Sequence, residues 1–346
     1  MTSLLAFLVV FGLVVIVHEA GHFCAAKLAG IKVYEFSIGF GPQLLAKRIR
    51  GTLYRLNLLP LGGLVRLAGL DDSPTEKARA SERYTSKSWF ARAAVLISGP
   101  LMNFVLAFFI FIIMFSMLGV PESASNRLSS VVAASPAAAA GWHRGDIVSY
   151  FNGRKVTDMS AVVKEIRASR GQALTFVITR GELTKTYILR GVYDKKQDLT
   201  LIGIQLEPLS YKRFSPLKAL TLGVGQTYGI TIEIFRSLGH LFTGAEKISN
   251  FAGPLGIAKL SGEAAERGIY MFLTFIAILS INLGVLNFLP IPALDGGRLV
   301  FLVLEKVLPR KISVEKEQLI HYLGFAFLLL LALVITMSDL KRMFNL

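Results

Sequence analysis

His18, Glu19 and His22 fall within one pentapeptide, His18-Glu19-Ala20-Gly21-His22, set in an otherwise apolar stretch. On a helix, residues four apart project from one face, so these two imidazoles can share one zinc ion. Glu19 beside them is placed to take a proton from water on that metal. The chemistry is peptide-bond hydrolysis, which consumes water. Yet Leu4 to Val17 holds no charged or strongly polar side chain. Two histidines and a carboxylate in lipid are costly unless they bind something, so the placement points to hydrolysis within a bilayer.

The rest of the chain must supply that bilayer setting. Its 346 residues are 53% apolar and carry a net charge of +15. This composition suggests a polytopic membrane protein with a modest soluble insert. Ala93 to Val120, Tyr270 to Leu289 and His321 to Ser338 are charge-free, and each approaches the roughly 20 residues of a span. Ser3 to Leu28, which carries the motif, makes a fourth. Ala219 to Leu241 includes Gln226, Glu233, Arg236 and His240 and reads as an amphipathic interfacial helix. Anionic lipid accounts for the positive charge, and nucleic acid is not an expected partner. Lys27 to Arg92 holds twelve Lys and Arg against five acids, which places that loop in the cytoplasm. Both termini, and the chain from Pro121 to about Tyr270, are then extracytoplasmic. The start lacks the basic region and small-residue cleavage site of a signal peptide. Cys24, the only cysteine, excludes an intrachain disulfide and reads as a small buried side chain.

Four regions follow. Residues 1–120 hold the first two transmembrane helices, the zinc motif and a hairpin over 31–66 that turns at Gly51-Thr52. That hairpin is too apolar to stand free in water and too short to span, so a re-entrant or membrane-surface sheet is expected. Asp71 to Lys87 reads as a charged, mobile connection. Residues 121–208 are a compact α+β module. Its run from Ser135 to Val148, followed by Asn152-Gly153, resembles a PDZ domain, which binds an extended peptide by strand addition. Residues 209–268 form an amphipathic interfacial segment, and 269–346 the last two transmembrane helices.

A catalytic zinc usually has three protein ligands and one open position. His143 lies in the soluble module, and His240 and His321 near segment ends. Glu35, Asp71 and Asp72 lie in the hairpin or a polar connection. Asp295 is the better third ligand: it sits between two apolar runs, where an acid needs a metal or a partner. Pro290 and Pro292 break the helix before it, as backbone lining a functional cavity would. Arg298 is the alternative partner for Asp295.

His-Glu-x-x-His in the first span, Gly39-Phe40-Gly41-Pro42, Pro60-Leu61-Gly62-Gly63, Ser98-Gly99-Pro100-Leu101-Met102-Asn103 and Asn287-Phe288-Leu289-Pro290-Ile291-Pro292-Ala293-Leu294-Asp295-Gly296-Gly297 together resemble the site-2 protease family. Their order, with a PDZ insert between the second and third spans, looks like a bacterial RseP-type intramembrane zinc protease. The resemblance covers nearly the whole chain. It implies a polytopic α-helical membrane protein with four transmembrane helices, a membrane-associated β-hairpin and an inserted α+β PDZ domain. It further implies Zn2+ held by His18, His22 and Asp295, with Glu19 as base. Asn287 would hydrogen-bond the unwound substrate, and the hairpin, including Gly39, Phe40, Gly41 and Pro42, would present substrate as an added strand. Asn103 would be a helix-packing residue near the site. Expected partners are single-span membrane-protein substrates, such as an anti-sigma factor or signal-peptide remnant, a peptide at the PDZ domain, and lipid. The expected location is a bacterial inner membrane. Two departures from the pattern are a single PDZ domain in place of tandem copies and Ser338-Asp339 in place of Asn-Asp. The competing readings are a non-catalytic membrane-anchored PDZ adaptor or chaperone with a vestigial metal site, and a metal transporter.

Overall fold

The computed structural model describes residues 2–71, 77–194, 198–244, 252–308 and 314–344. The chain runs through α1 (Thr2–Leu28), β1 (Val33–Ile49), β2 (Thr52–Leu67) and α2 (Trp89–Ile113). Next come β3 (Val120–Val131), α3 (Pro136–Ala139), β4 (Ile147–Phe151), β5 (Arg154–Lys155), α4 (Met159–Ala168), β6 (Ala173–Arg180), β7 (Leu183–Arg190), β8 (Val192–Asp194), β9 (Leu199–Leu201) and β10 (Ile204–Lys212). It ends with α5 (Pro216–Phe242), α6 (Pro254–Glu266), α7 (Ile269–Phe288), α8 (Asp295–Val307) and α9 (Val314–Phe344). Two compact units result: Met1–Met114 with Pro216–Leu346, and Phe115–Ser215.

Among the described residues, four helices are long and apolar enough to cross a membrane: Ser3–Leu28, Trp89–Leu118, Ile269–Phe288 and Glu315–Lys341. Close approach between these helices is set by small residues, as helix packing in lipid requires. A Cβ on Gly21 would meet the Ser98 carbonyl, so α1 and α2 touch backbone to backbone there. A Cβ on Gly284 would lie 2.8 Å from the Phe104 ring and 3.1 Å from the Pro100 carbonyl oxygen, so α7 also packs closely on α2. The Ser280 hydroxyl donates to the Asn103 carbonyl at 2.8 Å within that contact. Cys24 is exposed on α1, a correction to its reading as a buried side chain. It lies on the outer side of a helix whose buried residues include His18, His22 and Ala26.

The hairpin is more folded than its sequence suggests. Residues 33–38 of β1 pair with 53–56 on one side and with 63–67 on the other, because β2 doubles back past Leu59. Val33 to Gly39 are largely buried, whereas from Phe40 onward β1 is exposed. Its exposed side chains include Phe40, Leu44, Leu45 and Ile49, an apolar patch of the kind that faces a membrane or a partner. The connection that follows differs from the expectation of a mobile segment where it is described. Tyr84 is buried among Val33, Leu67 and Leu96, the Lys32 amide donates to the Glu82 carbonyl at 2.9 Å and the Tyr84 amide to the Ala68 carbonyl at 2.7 Å. Asp72 lies outside the described residues.

The second unit is a sheet in the order β10-β3-β4-β6-β7, with β5 on β4. Its core gathers Leu128, Trp142, Phe151, Met159, Ile166 and Phe176. The α4 helix starts at Asp158, whose carboxylate accepts from the Ser160 amide at 2.9 Å, a standard N-cap. The unit is wider than residues 121–208 because β3 and β10 pair as far as Val120 with Lys212.

Candidate active site

His18 and His22 occupy adjacent turns of α1 on its buried side, 7% and 9% exposed. Opposite them is Asp295, the first residue of α8. Asp295 Oδ2 lies 3.1 Å from His18 Nε2 and 3.3 Å from His22 Nε2, and the two imidazole nitrogens are 3.3 Å apart. Three metal-binding atoms from two distant parts of the chain therefore share one point.

The α2 helix orients both rings. His22 Nδ1 lies 2.7 Å from the Val95 carbonyl, which can only accept, so this nitrogen carries the proton. His18 Nδ1 faces the side-chain amide of Asn103 at 3.2 Å. Asn103 is fully buried, and its Oδ1 lacks a partner. With the amide turned so that Oδ1 faces the ring, His18 Nδ1–H donates to it, the tautomer that leaves Nε2 free to bind a metal. Both Nε2 atoms then present lone pairs to Asp295 Oδ2, which is buried and receives no hydrogen bond. Acceptors facing one another in a buried site call for a cation. Two imidazoles and a carboxylate are donors of the kind that could hold a metal ion, and zinc is the metal such a set suits.

The spacing on α2 matches that on α1. Gly99 and Asn103 are four apart on α2, as His18 and His22 are on α1. A Cβ on Gly99 would collide with the His22 ring, so Gly99 makes room for one imidazole while Asn103 holds the other. By resemblance Asn103 is a helix-packing residue near the site. The structure adds the bond from Asn103 to His18, and the shared spacing of four is the signal that could have found it.

Asp295 is delivered by a break between helices. The α7 helix ends at Phe288, two residues before Pro290, and α8 begins at Asp295. Gly296 and Gly297 let the first turn of α8 press against the loop's own carbonyls: a Cβ on Gly296 would meet those of Phe288 and Leu289, and one on Gly297 that of Ile291. A carboxylate in the first turn also suits the positive end of the helix dipole.

A cavity of about 310 Å³ opens on the three residues, and Glu19, Asn287, Asp71 and Arg298 line it as well. The β2 segment Gly63 to Val65 forms one wall. A Cβ on Gly63 would stand 2.6 Å from Glu19 Cγ, so the strand passes directly against the proposed base. Gly39, Phe40, Gly41 and Pro42 are not among the lining residues. Phe40 packs on Gly62, and the Gly39 carbonyl accepts from Asn57 at 2.8 Å. Of the other acids, Glu35 pairs with Arg55 at 3.2 Å. Arg298, the alternative partner of Asp295, lies 4.0 Å from Asp71 instead. His321 contacts the loop before Asp295.

Residues 6–331 match the model of Peptidase family M50. The chain belongs to that family. A zinc metalloprotease RasP of Geobacillus kaustophilus is 33% identical over 99% of this chain and 98% of its own length. A putative zinc metalloprotease of Clostridium acetobutylicum is 32% identical over 97% and 96%. The regulator of sigma-W protease RasP of Bacillus subtilis is 29% identical over 99% of each chain. A solved PDZ domain from Listeria monocytogenes is 23% identical over 24% of this chain and 87% of that one, with a TM-score of 0.21. This M50 peptidase is a zinc metalloprotease of the membrane, and its donor set fits the metal.

Proposed function

We propose that this peptidase cleaves single-span membrane proteins within or near their spans, with His18, His22 and Asp295 as zinc ligands and Glu19 as general base. The observation that carries the reading is the meeting of two Nε2 atoms, both from a helix apolar enough to span, with one carboxylate oxygen from the start of α8. Zinc held there supplies a Lewis acid that polarises the peptide carbonyl and acidifies water. Glu19 takes the proton of the attacking water and returns it to the leaving amine. Asn287, on the cavity wall, donates its amide to the substrate backbone beside the scissile bond. A helical substrate hides its amides and must unwind. The strand from Gly63 to Leu67 pairs with β1 on one side, and Gly63 to Val65 line the cavity, so its other edge suits an added substrate strand. Spans weakened by glycine or proline are the preferred substrates.

The second unit serves as the PDZ module. A groove of about 430 Å³ runs between the start of β10 and α4, lined by Ile202, Gly203, Ile204, Val163 and Ile166. The β10 strand ends the sheet, so an extended peptide can add to it. We place the enzyme in a bacterial inner membrane with this module outside. The name of the Bacillus subtilis relative suggests a membrane-bound regulator of a sigma factor as one substrate class.

The test is cleavage of a model single-span substrate by the reconstituted protein, with and without a zinc chelator, beside Glu19→Gln. Wild type is expected to cleave only with zinc. Glu19→Gln is expected to keep its zinc while losing about 10²- to 10⁴-fold in rate. Undiminished cleavage by that variant sinks Glu19 as the base.

A further inference from the structure

The fourth candidate span, α9, contributes no atom to the donor set, and none of its most apolar window is buried. It nevertheless touches the loop that carries Asp295. His321 Nδ1 accepts the Ala293 amide at 2.8 Å. One turn away, a Cβ on Gly324 would lie 2.5 Å from Pro292 Cβ and 2.6 Å from the Pro292 carbonyl oxygen, so α9 presses closely on the same loop. Ala293 has φ +78°, in the left-handed region that an alanine avoids unless its surroundings impose it. It stands two residues before Asp295 and lines the same cavity.

The His321 ring is itself held. Its centroid is 5.3 Å from that of Phe301 on α8, and Glu317 Oε1 stands 4.0 Å from its Nε2. Because the Ala293 amide can only donate, Nδ1 is the unprotonated nitrogen and Nε2 carries the hydrogen. Asp339, near the other end of α9, accepts from the Gly256 amide of α6 at 2.8 Å. The helix is thus pinned at two polar points along an otherwise exposed surface.

We infer that His321 is a positioning residue: by accepting the Ala293 amide it holds the strained turn that aims Asp295 at the two imidazoles, so the fourth span sets how firmly zinc is retained. This rests on the reading of Asp295 as a ligand. Proteins commonly hold metal ligands in place through such outer partners, at about 10- to 100-fold in affinity each.

The test compares wild type with His321→Leu, which removes the acceptor, and His321→Asn, whose Oδ1 can replace Nδ1. Two readouts are taken on the reconstituted full chain: zinc release to a chelator, and hydrogen exchange of the Ala293 amide in zinc-stripped protein. Leucine is expected to speed zinc release about 10- to 100-fold and to expose the amide, with asparagine close to wild type on both. Adding Ala293→Gly to His321→Leu is expected to restore part of the zinc retention, because glycine adopts this φ without support. Should the leucine variant fail to fold, His321→Gln replaces it, since its acceptor lies one bond further out. Zinc retention equal to wild type in the acceptor-free variant overturns the inference, as does an asparagine variant that behaves like leucine. His18→Ala is run alongside. If it leaves zinc content unchanged, the donor-set reading fails; if it loses zinc while His321→Leu does not, only the role of His321 fails.

Discussion

His18 and His22 sit one turn apart on an unbroken helix, whereas Asp295 follows six residues of irregular backbone between α7 and α8. The histidines are aimed by close helix packing, with Gly99 beside one ring and Asn103 bonded to the other. Asp295 is aimed by a turn with two prolines, a left-handed alanine and a contact from a fourth helix. The contrast suits the chemistry. In the proposed reaction a rigid pair would fix where the metal sits, while a ligand delivered by the loop before α8 would leave the β2 edge accessible to an unwound chain. Loops carry functional groups on rigid scaffolds for this reason.

The comparison breaks most completely at Gly99. Gly99→Ala puts a methyl group where the His22 ring stands, so zinc occupancy and cleavage are both expected to be lost. Gly225→Ala on α5, where nothing lies within 4 Å, is the matched control and should leave both intact. Metal analysis of the purified variants decides it. Asn103→Leu tests the same helix more gently. Zinc affinity should fall about 10- to 100-fold, measured by competition with a chelator, while Asn103→Asp, which keeps an acceptor for His18 Nδ1, should lose less.

The smallest effect concerns the second unit. Arg180 donates to both oxygens of Asp146 at 2.7 and 2.8 Å, and chiefly through this pair the Asp146 carboxyl is held below its ordinary range. Such a group stabilises the fold above its unfolded value of about 3.9 and loses that contribution as pH falls through its folded value. Arg180→Met should therefore raise the acid unfolding midpoint of this unit. Trp142 fluorescence in a Trp89→Phe background reads it, and cleavage at neutral pH should hardly change.

Much of the site was legible because its strongest signals are local. A spacing of four puts His18 and His22 on one face whatever the tertiary fold. An acid between apolar runs marks Asp295 through the cost of leaving it unpaired in lipid. What the sequence concealed depends on register between separate elements. Asn103 looks like a packing residue until α2 is laid against α1. A turn at Gly51-Thr52 is visible in the chain, one residue from where the structure turns between Ile49 and Thr52, but the return of β2 along the far side of β1 is not. That return brings Gly63, rather than Gly39 to Pro42, to the cavity. Cys24 was misjudged for a related reason: its small apolar side chain does not reveal which side of α1 is covered. The charged connection looked mobile because Tyr84, which anchors it, is one aromatic residue among many polar ones.

The most direct test of the account is X-ray absorption at the zinc edge on the reconstituted protein and on Asp295→Ala. Two imidazole nitrogens and a carboxylate oxygen are expected around zinc in wild type. In the variant, loss of that oxygen or of zinc altogether is expected. An unchanged coordination shell at full occupancy in Asp295→Ala would contradict it.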